Sequence, residues 1–236
     1  DKDDLEKVMQ EDITVNEIEF DRVWSSFTDL LHESQDYICS EWHHGVETLR
    51  LMERPIEIEK IRDVISTQGG AIKLTYPVGL DAWFAILAQG KFPVYANVRP
   101  PEHVAQSDMT DFYHDLFGHA PYFVFPKFNQ VSKQFAVLWA TVTKEQRELL
   151  LKLWFYTLEF GVVARGDQLY AFGGGLITSN VALKRFINKD IEIMWYDLAS
   201  VLESGISAAG EPERLFVFES VADVYAKLAE GMRHVV

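Results

Sequence analysis

The stretch Asp111-Phe112-Tyr113-His114-Asp115-Leu116-Phe117-Gly118-His119-Ala120-Pro121 places two imidazoles five residues apart in a largely apolar setting. On a regular α-helix, residues five apart differ by about 140° in direction. His114 and His119 therefore cannot share one face of an ideal helix, and the helix must distort or end between them. Gly118 and Pro121 are residues that permit this. A second stretch, Trp154-Phe155-Tyr156-Thr157-Leu158-Glu159-Phe160-Gly161, sets one carboxylate in an otherwise aromatic and apolar run. A carboxylate buried there without a partner is costly, so Glu159 calls for a cation or strong donors.

Two neutral nitrogens and one carboxylate, with no thiolate, suit Fe(II), Mn(II) or Zn(II). On Fe(II) such a set leaves the opposite face open for dioxygen and water. Each residue also has a plainer reading. One histidine can be buried and hydrogen-bonded while the other is exposed. Glu159 can pair with Arg165 or Arg99, or face solvent. The fork of Arg99 suits a carboxylate such as that of an amino acid, or belongs to a surface arginine. Gly173-Gly174-Gly175 allows close backbone approach to a ligand, or is a flexible loop. No Lys-Ser/Thr follows it, which argues against a phosphate loop. Trp83, Phe84, Phe92, Trp154, Phe155 and Phe160 either wall an aromatic pocket or fill the core.

The composition narrows the class. The chain has 236 residues, 48% of them hydrophobic and 13% aromatic, enough for one sizeable core. A net charge of −14 argues against nucleic acid or an anionic membrane as partner. The single cysteine, Cys39, leaves no internal disulfide and no cysteine-based zinc site, and fits a reducing cytoplasm. No apolar run is long enough to span a bilayer, and Asp1-Lys2-Asp3-Asp4 is no signal peptide. A cytoplasmic protein and a monomer are the expectation.

The pattern along the chain is mainly helical. Residues 1–18 form an acidic arm, and 19–236 a single catalytic domain. Phe20, Val23, Trp24, Phe27, Leu30 and Leu31 recur at helical spacing within 19–44. Further helices are expected over 42–53, 57–66, 80–89, 128–141, 144–163 and 180–186. Short strands are expected over 71–76, 92–98 and 169–172. Asp108 or Asp111 is placed to cap the turn that carries His114. Residues 173–175 read as a loop, and 191–202 and 219–233 as helices or mixed segments. The expected fold is helices with short β-strand pairs around a deep, iron-containing cleft.

Taken together, these segments resemble the pterin-dependent aromatic amino-acid hydroxylases, especially the short bacterial phenylalanine hydroxylases. The resemblance rests on Tyr76-Pro77-Val78-Gly79, Phe92-Pro93 through Arg99, residues 111–121, Trp154 to Gly161, and Phe172-Gly173-Gly174-Gly175-Leu176-Ile177-Thr178-Ser179. It is strong over about 70–190 and loose before that. It implies ring hydroxylation of an aromatic amino acid with Fe(II), O2 and tetrahydropterin. His114, His119 and Glu159 would hold the iron. Gly79, Trp83, Asp115 and Trp154 would lie on the pterin side, with Asp115 touching the pterin through water. Arg99 would take the substrate carboxylate, with Ser107, Phe155, Gly175 and Ser179 on the substrate side. Thr178 would orient His114 from beyond the metal.

The chain departs from the family pattern at Thr178, where Ser is common, and at Trp83, where Phe is usual. Ala182 and Met109 stand where the family often has acids. These changes bear on substrate choice. Phenylalanine 4-hydroxylation is the first expectation, followed by phenylalanine 3-hydroxylation and then tryptophan hydroxylation. Two readings of other classes remain: a zinc or manganese hydrolase using the same ligands, and an acidic helical binding module with structural histidines.

Overall fold

Asn16 opens the first helix, α1 (Glu17–Ser34), its side chain accepting from the backbone N–H of Ile18 at 3.1 Å and of Glu19 at 3.3 Å. This satisfies two of the N–H groups a helix start leaves unpaired. The computed structural model of the protein describes residues 13–105, 110–207 and 210–236. Phe20, Val23, Phe27 and Leu31 form the buried stripe of α1. Phe20 stacks on Tyr113 at 4.9 Å, and the Tyr113 hydroxyl donates to the Phe20 carbonyl at 2.7 Å. The first helix is thereby fixed to the turn that carries His114.

Helices α2 (Ser40–Thr48) and α3 (Ile58–Thr67) follow. Strand β1 (Ala71–Thr75), helix α4 (Leu80–Ala88) and strand β2 (Lys91–Tyr95) form a parallel pair with its crossover, in the register Ala71↔Lys91 to Thr75↔Tyr95. The chain then reaches a π turn (His114–His119) and a 3-10 turn (Ala120–Val124). Helix α5 (Pro126–Trp139) leads to α6 (Lys144–Trp154), which opens on a capping box between Thr143 and Gln146 and runs into a second π turn (Phe155–Glu159).

Strands β3 (Val162–Arg165) and β4 (Gln168–Ala171) make a hairpin. Helices α7 (Gly174–Thr178) and α8 (Asn180–Asn188), strand β5 (Glu192–Trp195), helix α9 (Leu198–Glu203), strand β6 (Arg214–Phe218) and helix α10 (Val221–Val235) complete the chain. The second sheet has the order β4-β3-β6-β5, with β6 parallel to both of its neighbours. Among the described residues, no helix is long and apolar enough to cross a membrane.

Several expected boundaries shift. The helical pattern over 19–44 is interrupted by a 3-10 turn at Gln35–Tyr37, and the following helix ends at Thr48 rather than at 53. The helix expected over 144–163 stays α-helical only to Trp154, and Val162 and Val163 enter β3. A side chain at Gly161 would stand 2.3 Å from the Thr157 carbonyl oxygen, so only glycine makes the exit. The segment 173–175 is not a loop, since 174 and 175 begin α7. Residues 191–202 divide into β5 and α9, and β6 precedes the last helix. Asp108 lies outside the described residues.

Helix α7 packs on the first π turn with almost no space between the backbones. A Cβ at Gly118 would lie 2.9 Å from Gly174 Cα, and one at Gly174 would lie 2.7 Å from the His119 ring. Gly118→Ala is expected to lower the unfolding free energy by about 1–3 kcal/mol through overpacking. Urea denaturation of the metal-free protein measures this, and an unshifted midpoint would show that the two backbones separate freely.

Candidate metal centre

The two π turns supply the site. A π turn, with i→i+5 hydrogen bonds and about 4.4 residues per turn, brings residues five apart to within about 50° of one direction. His114 and His119 span the first π turn and point the same way, with their Nε2 atoms 3.1 Å apart. The second turn does the same for Trp154 and Glu159, and the Trp154 indole N–H donates to Glu159 Oε1 at 2.7 Å. Glu159 reaches both imidazoles: His119 Nε2 lies 3.1 Å from Oε1 and His114 Nε2 lies 3.4 Å from Oε2. Among the described residues, these three side chains are the group of histidine, cysteine and acid donors that converge closely enough to share an ion.

The donor set fits a divalent ion. Three ligands about 2.1 Å from a common centre and at right angles to one another would be separated by about 3.0 Å. The histidine nitrogens are 3.1 Å apart, and each has its own Glu159 oxygen, Oε1 at 3.1 Å from His119 and Oε2 at 3.4 Å from His114, separations of that order. The proton inventory agrees. Thr178 Oγ1 donates to the Gly174 carbonyl at 2.7 Å, so its lone pair is what faces His114 Nδ1 at 3.0 Å. His114 Nδ1 must then carry the proton, which leaves Nε2 bare and aimed at the centre. Burial works against ionisation of Glu159, but the neighbouring imidazoles, His119 first and then His114, outweigh it and hold the carboxyl well below its usual range. Neither Arg165 nor Arg99 pairs with Glu159: Arg165 binds Ser40 and Glu41, and Arg99 binds Asp111.

The centre opens on a cavity of 330 Å³. Trp83, Asp115 and Trp154 line it, as do Arg99, Phe155, Gly175, Thr178 and Ser179. Gly79 does not. It precedes α4 at the N-cap, beside the cavity-lining Leu80. Ser107 lies outside the described residues. Trp83 packs edge-on against Trp154 at 5.6 Å, so the aromatic stripe both fills core and walls the cavity. Asp115 is buried and accepts the Tyr95 backbone N–H at 2.7 Å. Burial drives its pKa well above the usual carboxylate value, against the pull of that hydrogen bond.

Sequence reasoning missed two acids. Asp111 was seen only as a cap. It does accept the His114 backbone N–H at 3.0 Å, but it also grips Arg99 through Nε at 2.9 Å and Nη2 at 2.8 Å. Glu211 lines the cavity from a loop that carried no recognisable signal in so acidic a chain. Tyr95 was also missed, and it joins β2 to the cavity wall.

The family model for biopterin-dependent aromatic amino acid hydroxylases matches residues 7–235. The chain belongs to this family. A phenylalanine-4-hydroxylase of Pseudomonas aeruginosa is 30% identical to it over 162 residues, covering 67% of this chain and 62% of the relative. The Vibrio cholerae phenylalanine-4-hydroxylase is 30% identical over 144 residues, covering 60% and 50%. The match thus spans half to less than two thirds of these two relatives. Among solved structures, the apo phenylalanine hydroxylase of Colwellia psychrerythraea aligns with a TM-score of 0.83 at 22% identity, covering 95% of this chain and 90% of that one. The Chromobacterium violaceum enzyme with bound iron(III) and 7,8-dihydrobiopterin gives 0.81 at 20%, covering 92% and 81%. At such identities these structures establish the hydroxylase fold.

Within this hydroxylase fold, Thr178 would act on a metal through its contact with His114. Thr178→Val keeps the shape and removes the acceptor of the Nδ1 proton. Ferrous ion affinity is expected to fall by about 10- to 100-fold, measured by competition with a chromogenic chelator, and Thr178→Ser should recover most of it. Equal affinity in the valine variant would mean that packing alone holds the ring.

Proposed function

We propose that the protein is a non-haem iron, tetrahydropterin-dependent monooxygenase that hydroxylates the ring of phenylalanine at the 4-position. The observation that carries this reading is the meeting of His114, His119 and Glu159 on the wall of an aromatic cavity that also presents Arg99. Family membership supports this chemistry over a zinc or manganese hydrolase and over a binding module with structural histidines. The names of the relatives favour phenylalanine and its 4-position over 3-hydroxylation or tryptophan. Iron with a reduced pterin would supply the two-electron activation of O2 from which one oxygen atom enters the ring. We read the protein as a cytoplasmic monomer with small-molecule partners, on the single buried Cys39 and the net charge of −14.

The chain's own residues have positioning work to do. His114, His119 and Glu159 would hold the metal and leave its cavity side open. Trp83, Trp154 and Asp115 offer the pterin a flat aromatic wall and one polar group. Phe155 and Phe160, 4.6 Å apart, give the substrate ring an apolar face and keep water from the reacting centre. Arg99 would take the substrate carboxylate. Its hydrogen bonds to described residues use Nε, Nη2 and, twice, Nη1, which is four of the five N–H donors of a guanidinium. The remaining Nη2–H is the donor this reading assigns to the substrate.

Anaerobically iron-loaded protein, given O2, a tetrahydropterin and phenylalanine, is expected to form 4-hydroxyphenylalanine, identified by NMR, with slower turnover of tyrosine and tryptophan. Arg99→Lys keeps the charge beside Asp111 but loses the fork. It is expected to raise the KM for phenylalanine by about tenfold or more with a smaller change in the KM for the pterin. An unchanged amino-acid KM would remove Arg99 from substrate binding.

A further inference from the structure

The indoles of Trp83, Trp139 and Trp154 meet on one ring. Phe84 lies 5.0 Å from Trp83, 4.5 Å from Trp139 and 5.5 Å from Trp154, and it stacks on Trp139 at 30°. Three helices supply the cluster: α4 carries Trp83 and Phe84, Trp139 ends α5 and Trp154 ends α6. A buried indole N–H needs an acceptor. Trp42 meets that need with the carbonyl of Phe117. This cluster uses a carboxylate at each end instead. At the inner end Trp154 donates to Glu159 Oε1 at 2.7 Å, within the metal centre. At the outer end Trp139 donates to Asp81 Oδ1 at 2.8 Å, and the Asp81 side chain is 70% exposed. A continuous run of ring contacts thus joins a metal ligand to a surface acid.

Indole gives up an electron far more readily than a phenyl ring, so Phe84 bridges while the tryptophans carry charge. Trp139 is placed to lose an electron without keeping a positive charge. The Arg147 guanidinium lies 5.2 Å from its ring and opposes a charged radical there. Asp81 removes the conflict by taking the indole proton, which leaves a neutral radical. Arg147 also donates to Asp81 at 2.8 Å, and the exposed carboxylate passes the proton on to water. At Trp154 the acceptor is Glu159, and a carboxylate that binds a divalent ion is a poor base. An oxidising equivalent therefore settles on Trp139, away from the metal.

We propose that Trp154, Phe84 and Trp139 form an electron path that reduces an over-oxidised iron centre when no substrate is bound, with Asp81 as the proton acceptor. This rests on the reading of the centre as an oxygen-activating iron site. Hydrogen peroxide takes two electrons from Fe(II) and, with two protons, becomes two molecules of water. Trp139 returns one electron through Phe84 and Trp154 and gives its proton to Asp81, leaving Fe(III) and a neutral indolyl radical. A thiol or a tetrahydropterin then restores the indole with one electron and one proton. Neither Trp139 nor Asp81 lines the cavity, so ring hydroxylation does not involve them.

In the test, iron-loaded protein is treated with hydrogen peroxide without pterin or amino acid, then frozen for EPR or digested for mass spectrometry. Metal-free protein is the control. Trp195 of β5, 60% exposed, reports oxidation by bulk peroxide. The wild type is expected to show a radical signal that deuterated tryptophan alters, and oxidation products at Trp139 ahead of Trp195. Trp139→Phe should abolish that signal and move oxidation to Trp154, His114 and His119. Asp81→Asn keeps the packing and removes the base, and should shift oxidation the same way. Both variants should keep the wild-type initial rate of phenylalanine hydroxylation and lose activity sooner under peroxide. If Trp139 is oxidised no more than Trp195, or equally without iron, or if the ligands are oxidised alike in all three proteins, the path is overturned whether or not phenylalanine is hydroxylated. If oxidation of Trp139 depends on iron but no aromatic amino acid is hydroxylated, the path stands and the hydroxylase reading falls.

Discussion

Two imidazoles five residues apart can serve one ion only if the backbone between them abandons the α-helix, and the rest of the fold accommodates that requirement. Widening a helix into a π turn disturbs the regular hydrogen-bond ladder, and such turns persist where tertiary contacts support them. Here the contacts are identifiable. The Trp42 indole N–H donates to the carbonyl of Phe117 at 2.6 Å, from inside the first π turn. The backbone N–H of Phe160 reaches the carbonyl of Phe155 at 2.9 Å, which closes the second. Gly118 and Gly174 let α7 approach the first turn without a side chain between them. Trp42 and Gly174 both lie far in sequence from the first π turn they contact, so the geometry of the three donors is a property of the assembled fold rather than of either segment.

A second constraint links the proposed metal ligands to Arg99. Asp111 binds three backbone or side-chain donors of Arg99 and also caps the turn at His114. Arg99 in turn donates to the carbonyl of Thr178, whose hydroxyl accepts from His114. The four residues close a ring of hydrogen bonds around the cavity wall. Both members of the central ion pair are almost fully buried, with side chains 1% exposed. Such a pair adds little net stability, because desolvation roughly cancels attraction, but removing one partner strands the other at a cost of about 3–5 kcal/mol. What the pair provides is orientation: one acid fixes both the guanidinium fork and the first π turn.

The sequence was legible where residue chemistry is unusual and opaque where only context decides. A histidine pair and an acid embedded in aromatic residues stood out because burial of such groups demands an explanation. The distortion between the histidines followed from helix geometry alone, although its form, a π turn, did not. Strand β6 is almost continuously apolar, and such a run reads equally well as a buried helix segment. Helix α7 starts with two glycines, whose low helix propensity is overridden by the need for close packing against His119 and Gly118. Asp111 and Glu211 were lost among 36 acids, since nothing local distinguishes an acid that will meet an arginine 12 or 26 positions away.

Asp115 follows His114 directly, yet it is Glu159, from a distant segment, that faces the two imidazoles. Burial penalises both carboxylates. What separates them is the number and kind of donors each meets. Asp115 has the single backbone N–H of Tyr95, which does not offset desolvation, and its pKa rises. Glu159 meets two imidazoles, which do offset it, and its pKa falls. A divalent cation would require the ionised acid, so the surroundings favour Glu159 over Asp115 as a ligand and leave Asp115 as a polar wall group that keeps its proton to higher pH. The assignment of the two acids thus follows from where the fold places donors, not from which acid lies nearest the histidines along the chain.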